Sequence, residues 1–446
     1  MRWLIAILIG LAAPAHADWR DEVIYFIMID RFSDGNPDNN QDADPTDPLA
    51  FHGGDLAGIT QHLGDIASLG VTAIWLTPIV QQVGPIEVPE GLFWGHHGYW
   101  AEDFQTLDPR YGTEADLETL VDAAHDRGIK VILDVVYNHV GYGSSVLTDH
   151  PDWVRTGDDC GGDDVTLCLA GLPDLRTDVP LVRDWLLEAH LGLAERTGID
   201  GFRLDTFKHV EPEFWQAHRQ AVRDRLRPDF FLLGEIWDGD KYLAEPPFAA
   251  DTLDAVLDFS FRDRTLKLLT GVESTERYAR WFTNRATVPE GKVMAPFLSN
   301  HDMPMMLAMM RGDTTRLRAA FALLMFAEGP PVISWAEEIG RAAGPWPNNR
   351  EDYDWSGGDQ TLRDDIASLI ALRSEFPEMR VGPVETLVAD RNVLALARGD
   401  IAVVVNRGRD PAPIPTSLTD DWTILWGEDS ATLAPGVAVV MFHSGP

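Results

Sequence analysis

The chain has 446 residues, of which 45% are hydrophobic and 24% charged, proportions that are ordinary for a globular protein with a large core. Its formal net charge of -35 argues against nucleic acid or an anionic membrane as a partner, because both would repel it. Neutral substrates remain possible, and a solvated, salt-tolerant surface explains the charge without any function.

The N-terminal 17 residues predict a secretory signal peptide. Arg2 precedes the apolar stretch 4–13, and Ala15 and Ala17 flank His16 in a small-residue cleavage pattern. The stretch is too short to cross a bilayer, and no later segment approaches about 18 uninterrupted apolar residues. We therefore expect a secreted or periplasmic mature chain that has no membrane partner, with a retained anchor helix as the alternative.

Eight short apolar runs alternate with stretches of helical periodicity. Most runs are continuously apolar, which is typical of strands covered on both faces, and helix-period spacing occurs at 114–127, 179–196 and 313–326. The runs begin at Val23, Val71, Lys130, Ile199, Asp229, Leu253, Val293 and Pro330. This pattern predicts an α/β fold, a (β/α)8 TIM barrel, with its active site at the carboxyl ends of the strands.

Two segments interrupt the alternation. Residues 140–178, which are rich in Gly, Asp and Ser, separate the third strand from the next helix, and a connection of that length is usually functional or a small subdomain. From residue 381 onward, short β-type runs separated by turn residues predict a C-terminal antiparallel β-sandwich. We therefore predict a barrel made of residues 18–139 and 179–380, an insertion of residues 140–178 and a sandwich of residues 381–446.

Cys160 and Cys168 are the only cysteines, and they enclose a polar, glycine-containing stretch of the insertion. In an exported protein this pair predicts a disulfide, which would stabilise the loop by roughly 2.5 kcal/mol. Two free thiols are the alternative. A metal pair is disfavoured because histidines do not accompany the cysteines.

Three acidic residues come just after predicted buried strands: Asp205, Glu235 and Asp302. Cleavage of a glycosidic bond commonly needs one carboxylate facing the anomeric carbon and one protonated carboxyl group at the leaving oxygen. A third acid can then bind sugar hydroxyls. Taken singly, each could be an ion-pair partner or a helix cap, but three at successive strand ends predict a glycosidase.

Six segments of the sequence resemble motifs of the α-amylase family of glycoside hydrolases, and together they extend from the second predicted strand to the seventh. Four match the signature segments of the family in order, and two match its motifs in the loops after strands two and three. The segments are DVVYNH (134–139), GFRLDTFKH (201–209), GEIW (234–237), FLSNHD (297–302), HGYW (97–100) and LPDL (172–175). The resemblance implies that Asp205 is the nucleophile, Glu235 the general acid/base and Asp302 a transition-state stabiliser.

The residues themselves support these roles. Arg203 lies two positions before Asp205, on the same strand face, so its guanidinium can hold that carboxylate ionised. Glu235 follows an apolar strand and precedes Ile236 and Trp237, so these apolar neighbours should desolvate its carboxyl group and raise its pKa. A retaining mechanism requires the carboxyl groups of Asp205 and Glu235 to lie about 5 to 5.5 Å apart, and we expect that spacing.

The resemblance also implies a set of substrate contacts. His139 and His301 match residues that bind sugar hydroxyls at the cleavage site, and Tyr99 matches an aromatic that stacks on that sugar. The alternative for Tyr99 and Trp100 is that they are core aromatics. The residues are Tyr99, Trp100, His139, Arg203, Lys208, His209 and His301. Lys208 and His209 resemble a pair that contacts the next sugar in enzymes cutting α-1,4 linkages, a pair that cyclodextrin-forming transferases share.

Clustered carboxylate, amide and carbonyl oxygens suggest one or two structural calcium ions. One site resembles that of cyclodextrin glucanotransferases, with a metal-free Asp/Asn turn as the alternative. Its residues are Asp34, Asn36, Asn39, Asn40, Gly53 and Asp55. The second resembles the site that the family shares at the barrel junction, formed by Asn138, Asp174 and the main-chain oxygen of His209.

Some features depart from the family pattern, including Arg176 in LPDLR and the segment PPVISWAEEIG at the eighth strand. The C-terminal region is too short for additional starch-binding domains, which favours hydrolysis over cyclisation. We expect a monomeric, retaining α-amylase that cleaves internal α-1,4 bonds of starch-like glucans. The alternatives are a maltooligosaccharide or cyclodextrin hydrolase or glucanotransferase of the same family, and a non-catalytic glucan-binding protein.

Overall fold

The structure is a computed structural model that describes residues 18–237, 241–285, 288–418 and 421–443. The predicted signal peptide lies outside these residues. Its helices and strands are, in chain order, β1 (Ile24–Ile27), α1 (Leu56–Leu69), β2 (Ala73–Leu76), β3 (Ile86–Val88), β4 (Gly91–Phe93), α2 (Glu114–His125), β5 (Lys130–Val135), α3 (Val146–Asp149), β6 (Val154–Arg155), β7 (Asp174–Leu175), α4 (Pro180–Thr197), β8 (Gly201–Leu204), α5 (Pro212–Arg225), β9 (Phe231–Gly234), α6 (Lys241–Ala249), β10 (Ala255–Asp258), α7 (Phe259–Leu269), α8 (Thr275–Arg285), β11 (Val293–Pro296), α9 (Met306–Met309), α10 (Thr314–Phe326), β12 (Val332–Ser334), α11 (Gln360–Glu375), β13 (Glu385–Ala389), β14 (Val393–Arg398), β15 (Ile401–Asn406), β16 (Ala412–Pro413), β17 (Trp422–Trp426), β18 (Thr432–Leu433) and β19 (Ala438–His443). In the described part of the chain, no helix is both long and apolar enough to span a membrane.

Eight parallel strands form the predicted barrel. They are hydrogen-bonded in the order β11, β10, β9, β8, β5, β2, β1 and β12. A parallel bridge between Phe297, directly after β11, and Val332 of β12 brings the two edge strands together. Nearly all residues of these strands are buried, which explains why the runs are continuously apolar rather than alternating. The prediction of a (β/α)8 barrel is confirmed, and its strands direct their carboxyl ends towards one mouth.

Local sequence signals set the ends of the surrounding helices. The Asp55 side chain caps the start of α1, and Gly70 ends it with a φ of 92°. Thr113 and Asp116 form a reciprocal capping box at the start of α2. These caps fix where α1 begins and ends and where α2 begins.

The connection between β5 and α4 forms a small excursion over the barrel mouth. In it, β6 pairs antiparallel with β7, and Cys160 is joined to Cys168 by a disulfide. A small hydrophobic cluster that includes Phe93, Trp100 and Leu172 packs this excursion against the hairpin of β3 and β4. Together the excursion and the hairpin raise one wall above the barrel.

The C-terminal region contains a five-stranded antiparallel sheet in the order β13, β14, β15, β19 and β17, with β16 and β18 paired beside it. Alternate side chains of its central strands divide between two cores. Leu394 and Val403 join the core shared with the barrel, whereas Val393 and Val404 pack with Leu433 of β18. Both faces of these strands are therefore covered, and the sheet is held against the barrel helices.

Candidate active site

The three predicted acids converge at the mouth of the barrel. Asp205 directly follows β8, Glu235 directly follows β9, and Asp302 lies in the loop after β11. All three side chains line one cleft of about 420 Å³. Asp205 and Glu235 are each 6% exposed, whereas Asp302 is more open to the cleft.

Arg203 lies beneath the acids, and its single guanidinium group joins Asp205 and Glu235 to a further acid, Asp134. Its Nη1 donates to Asp205 Oδ1 at 2.7 Å and to Asp134 Oδ1 at 2.9 Å, and its Nη2 lies 2.8 Å from Glu235 Oε1. Arg203 is completely buried. Because neighbouring nitrogens of one planar group hold Asp205 and Glu235, the two carboxyl groups face the same point in the cleft.

Asp134, at the end of β5, is a member of this cluster that sequence reasoning did not single out. It accepts hydrogen bonds from the Tyr99 hydroxyl at 2.7 Å and from Trp75 Nε1 at 3.1 Å, in addition to Arg203. A lone acid inside an apolar strand requires a buried partner, and that requirement was the signal in the sequence that could have identified it.

Tyr99 and His301 form one side of the pocket above the acids. Their rings are stacked with centroids 5.1 Å apart and planes 2° apart, and His139 Nε2 lies 3.1 Å from the Tyr99 carbonyl oxygen. Gly98 precedes Tyr99 with a φ of 90°, and a Cβ there would lie 2.3 Å from the Pro78 carbonyl oxygen. Only glycine therefore allows this loop to present the tyrosine ring.

Asp302 is held from the loop after β12. Arg350 Nη2 lies 3.4 Å from Asp302 Oδ1, and Arg350 Nε donates to the His301 carbonyl oxygen at 3.0 Å. Asn349 Nδ2 donates to the same carbonyl at 2.6 Å. Neither Asn349 nor Arg350 was predicted, because no local pattern marks a loop that contacts another loop nearly fifty residues away.

The acids of the cleft differ in charge because their surroundings differ. Burial, reinforced by Asp205 and Asp302, raises the pKa of Glu235 to about 8 despite the opposing Arg203. Burial also opposes ionisation of Asp302, but His301, Arg350 and Arg203 outweigh it and hold the pKa of Asp302 below its usual value. At neutral pH the pocket therefore contains a proton donor, Glu235, beside an ionised carboxylate, Asp302.

The structure separates the predicted substrate residues into two groups. Tyr99, Trp100, His139 and His301 line the cleft. Lys208 and His209 lie in the turn after β8, outside the cleft lining, and His209 Nδ1 instead lies 2.7 Å from the carbonyl oxygen of Asp164 in the excursion. His209 therefore connects the barrel to the excursion in this structure.

The predicted calcium residues at the barrel junction leave two oxygens without partners. Asn138 Oδ1 and Asp174 Oδ2 are buried and accept no hydrogen bond from any described residue. The other oxygen of Asp174 accepts from Arg155 Nη1 at 2.5 Å, so that an arginine already balances part of its charge. The two free oxygens fit a calcium ion, which prefers such hard ligands.

The second predicted calcium set lies in the loop before α1. Asn39 Oδ1 and Asn40 Oδ1 are buried and have no hydrogen-bond partner among the described residues. A Cβ on Gly53 would lie 2.6 Å from Asn40 Oδ1, so the glycine keeps this space open. Asp55, by contrast, uses both oxygens to accept hydrogen bonds from four N–H groups of Gly35, Asn36, Asn39 and Gly58.

In the described residues, no three His, Cys, Asp or Glu side chains gather as a metal site. A cation at either place would therefore depend on amide and main-chain oxygens together with one or two carboxylates, a ligand set that calcium accepts.

A second arginine cluster fastens the excursion. Besides Asp174, the Arg155 guanidinium contacts Asp178 Oδ1 at 3.1 Å and Glu211 Oε1 at 2.8 Å. Glu211 precedes α5 of the barrel, and its other oxygen accepts from Thr177 of the excursion. This cluster, which the sequence did not reveal, connects both strands of the excursion to the barrel.

Comparison with known proteins relates most of the chain and its fold to one family. Residues 26–153 and 164–371 match the family model described as the catalytic domain of α-amylase. The chain is 32% identical over 461 residues to a cyclomaltodextrinase of Geobacillus thermopakistaniensis (strain MAS1), covering 95% of this chain and 76% of that protein. It is 29% identical over 469 residues to a maltogenic α-amylase of Bacillus acidopullulyticus, covering 94% of this chain and 75% of that protein. The crystal structure of an Anoxybacillus α-amylase superposes with a TM-score of 0.85 at 32% identity, covering 96% of this chain and 99% of that one.

Proposed function

We propose, from the premise that this chain belongs to the α-amylase family of glycoside hydrolases, that it cleaves α-1,4-glucosidic bonds of short or cyclic maltooligosaccharides with retention of configuration. One observation carries the proposal. The carboxyl groups of Asp205 and Glu235 both contact the guanidinium of Arg203 and face one cleft, and burial keeps the proton on Glu235.

In the first step, the Asp205 carboxylate attacks the anomeric carbon while Glu235 gives its proton to the leaving glycosidic oxygen. The bond from the anomeric carbon to Asp205 forms as the glycosidic bond breaks. In the second step, Glu235 takes a proton from water, which attacks the same carbon and releases Asp205. Each carboxyl group thereby returns to its starting protonation state.

The remaining cleft residues would stabilise this sequence. The Tyr99 ring offers an apolar face to the sugar, and His301 offers a nitrogen atom to its hydroxyls. Both ring nitrogens of His139 instead have protein partners, the Asn138 side chain and the Tyr99 carbonyl oxygen. Asp302, held ionised, would stabilise the positive charge that develops on the sugar ring. Lys208 and His209 lie in the turn after β8, the strand that Asp205 follows, and are proposed to contact the leaving sugar beyond the cleft.

The relatives decide which substrates to propose. The chain resembles a cyclomaltodextrinase and a maltogenic α-amylase over most of its length, which favours short or cyclic chains over the endo-acting α-amylase expected from the sequence. Endo-hydrolysis of starch remains the second candidate, because the structure superposes closely on an Anoxybacillus α-amylase. Both candidates use the same acids, so the substrate series below distinguishes them.

We also propose that calcium and export are part of this function. Asn138, Asp174 and the main-chain oxygen of His209 would hold one ion, and Asp34, Asn36, Asn39, Asn40 and the carbonyl of Gly53 would hold another. Bound there, calcium would neutralise buried oxygens and fasten loops. Residues 1–17 would direct the chain to the periplasm or the medium, where its substrates occur.

Proton NMR of the products from a cyclodextrin, maltohexaose and amylose tests the proposal. We expect α-anomers to appear first and kcat/KM to be higher on the two small substrates, with the viscosity of amylose nearly unchanged at early times. Initial β-anomers would contradict retention. An early fall in viscosity would favour the endo-amylase, and no turnover on any of the three substrates would end the proposal.

A further inference from the structure

Two half-exposed tryptophans line the cleft. Trp237 and Trp346 are each 39% exposed, whereas a tryptophan side chain is highly buried on average. Trp237 follows Glu235 by two residues, whereas Trp346 belongs to the loop after β12. The two therefore reach the cleft from different loops.

Trp346 is backed by a rigid aromatic wall. Its ring centroid lies 5.5 Å from that of Phe93 at the end of β4. Phe93 is 9% exposed and packs edge-on against Trp100 at 4.7 Å. One side of the Trp346 ring is thus supported by the hairpin, while the rest faces the cleft.

The loop that carries Trp346 is fixed to the acid cluster. Asn349 and Arg350, three and four residues further on, both donate to the His301 carbonyl oxygen, and Arg350 also contacts Asp302. The distance from Trp346 to the reacting sugar is therefore set by hydrogen bonds of the same loop.

The chemistry of the cleft determines which part of the substrate meets Trp346. Glu235 protonates the leaving oxygen, so the departing sugars extend on the side of Glu235 and Trp237. The retained part of the chain would extend in the opposite direction, and Trp346 would meet it there, because Arg350 ties the loop of Trp346 to Asp302.

We propose that Trp346, supported by Phe93, is a stacking platform for the retained part of the glucan, beyond the sugar that reacts. The apolar face of a pyranose would lie on the indole ring, so the platform selects substrates with two or more glucose units on that side. This inference rests on the proposed function, because the direction of the chain follows from the role of Glu235.

Aryl maltooligosaccharides with one to four glucose units test it, since release of the aryl group fixes the number of retained units. We expect Trp346→Ala to lower kcat/KM by about three- to tenfold for two or more units and to leave the one-unit substrate unchanged. Trp346→Phe should retain most of the wild-type value. The control Trp355→Ala removes a tryptophan that is also 39% exposed but lies outside the cleft, and it should change none of the four.

An equal loss on all four substrates would mean that Trp346 only positions Asp302, and no loss on any would remove its role; either result overturns the platform. Calorimetric binding of maltotetraose to Glu235→Gln, with and without Trp346→Ala, separates this inference from the proposed function. Weaker binding by the double variant, together with no glucan turnover by the wild type, would show that Trp346 binds glucan but would reject the hydrolase and, with it, the assignment of Trp346 to the retained part. Turnover by the wild type with unchanged binding of the double variant would reject only the platform.

Discussion

Two arginines in this molecule are each surrounded by three carboxyl groups, yet their environments differ. Arg203 contacts Asp134, Asp205 and Glu235, whose side chains are all nearly buried. Arg155 contacts Asp174, Asp178 and Glu211, of which the Asp178 side chain is 49% exposed. The first cluster opens to the cleft, and the second lies between the excursion and the barrel.

The contrast shows that access to the cleft, and not burial alone, makes an ion cluster reactive. At Arg203, burial raises the pKa of Asp134 to about 7 and of Glu235 to about 8, because one guanidinium cannot offset three buried acids. A proton is therefore available beside the carboxylate of Asp205. At Arg155, burial likewise raises the pKa of Asp174 to about 7, but no residue of this cluster lines the cleft, so the cluster serves to fasten two parts of the chain.

The largest expected effect is on the reactive cluster. Asp205→Asn should lower kcat by at least about 10⁴-fold, because an amide cannot form the covalent intermediate. Its melting temperature should stay close to that of the wild type, since an amide can still occupy the space beside Arg203. Turnover of maltohexaose and thermal unfolding measure the two quantities. A variant with near wild-type turnover would show that Asp205 is not the nucleophile.

Glu235→Gln should reduce kcat by about 10²- to 10⁴-fold on natural glucans, because the leaving oxygen then departs without a proton. The loss should be much smaller for an aryl glycoside with an acidic leaving group. In the wild type, kcat should fall as the pH rises through about 8, where Glu235 loses its proton. An equal loss on both substrates would argue against Glu235 as the acid.

The raised pKa of Glu235 also predicts an effect on stability. The unfolded chain releases this proton near pH 4.5, whereas the folded chain keeps it until about pH 8, so ionisation favours unfolding between these values. Glu235→Gln removes this penalty. The free energy of unfolding of the variant, relative to the wild type, should therefore rise between pH 4.5 and 8 by roughly 5 kcal/mol at most. Urea unfolding across this range measures it, and a constant difference would contradict the shift.

Substitution in the Arg155 cluster should lower stability rather than kcat. Arg155→Met leaves Asp174 and Glu211 without their cation and should cost roughly 2–3 kcal/mol of stability, with a higher KM and a nearly unchanged kcat. Arg183→Met is the matched control, because its partner Asp184 is exposed, and it should change stability by less than about 0.5 kcal/mol. A kcat loss comparable to that of Asp205→Asn would remove the distinction between the two clusters.

The smallest expected effect is that of calcium removal. If calcium is present at ten times its Kd, a chelator should lower the free energy of unfolding by about 1.4 kcal/mol. This decrease in the free energy of unfolding should be larger in Arg155→Met, because calcium is then the only positive charge that Asp174 contacts. Calorimetry with and without chelator measures both values, and identical melting temperatures would contradict structural calcium.

The sequence predicted the barrel because each strand is buried on both faces and therefore appears as an apolar run of its own. It also predicted where Asp205, Glu235 and Asp302 lie, since the end of a strand is a local feature. The sequence did not predict Arg350 and Trp346, because Arg350 contacts His301 and Trp346 packs against Phe93, both distant in the chain. Arg155 was missed for the same reason, as its partners come from β7 and from the loop before α5.

The order of strands, the positions of the acids and the family resemblance were thus determined by the sequence itself, because periodicity and motifs are properties of neighbouring residues. The pKa of Glu235, the anchoring of Asp302 and the wall behind Trp346 were decided only by the tertiary structure. Each of these depends on how much water is excluded and on which distant side chains meet, and both are set when the barrel closes and the loops pack over its mouth.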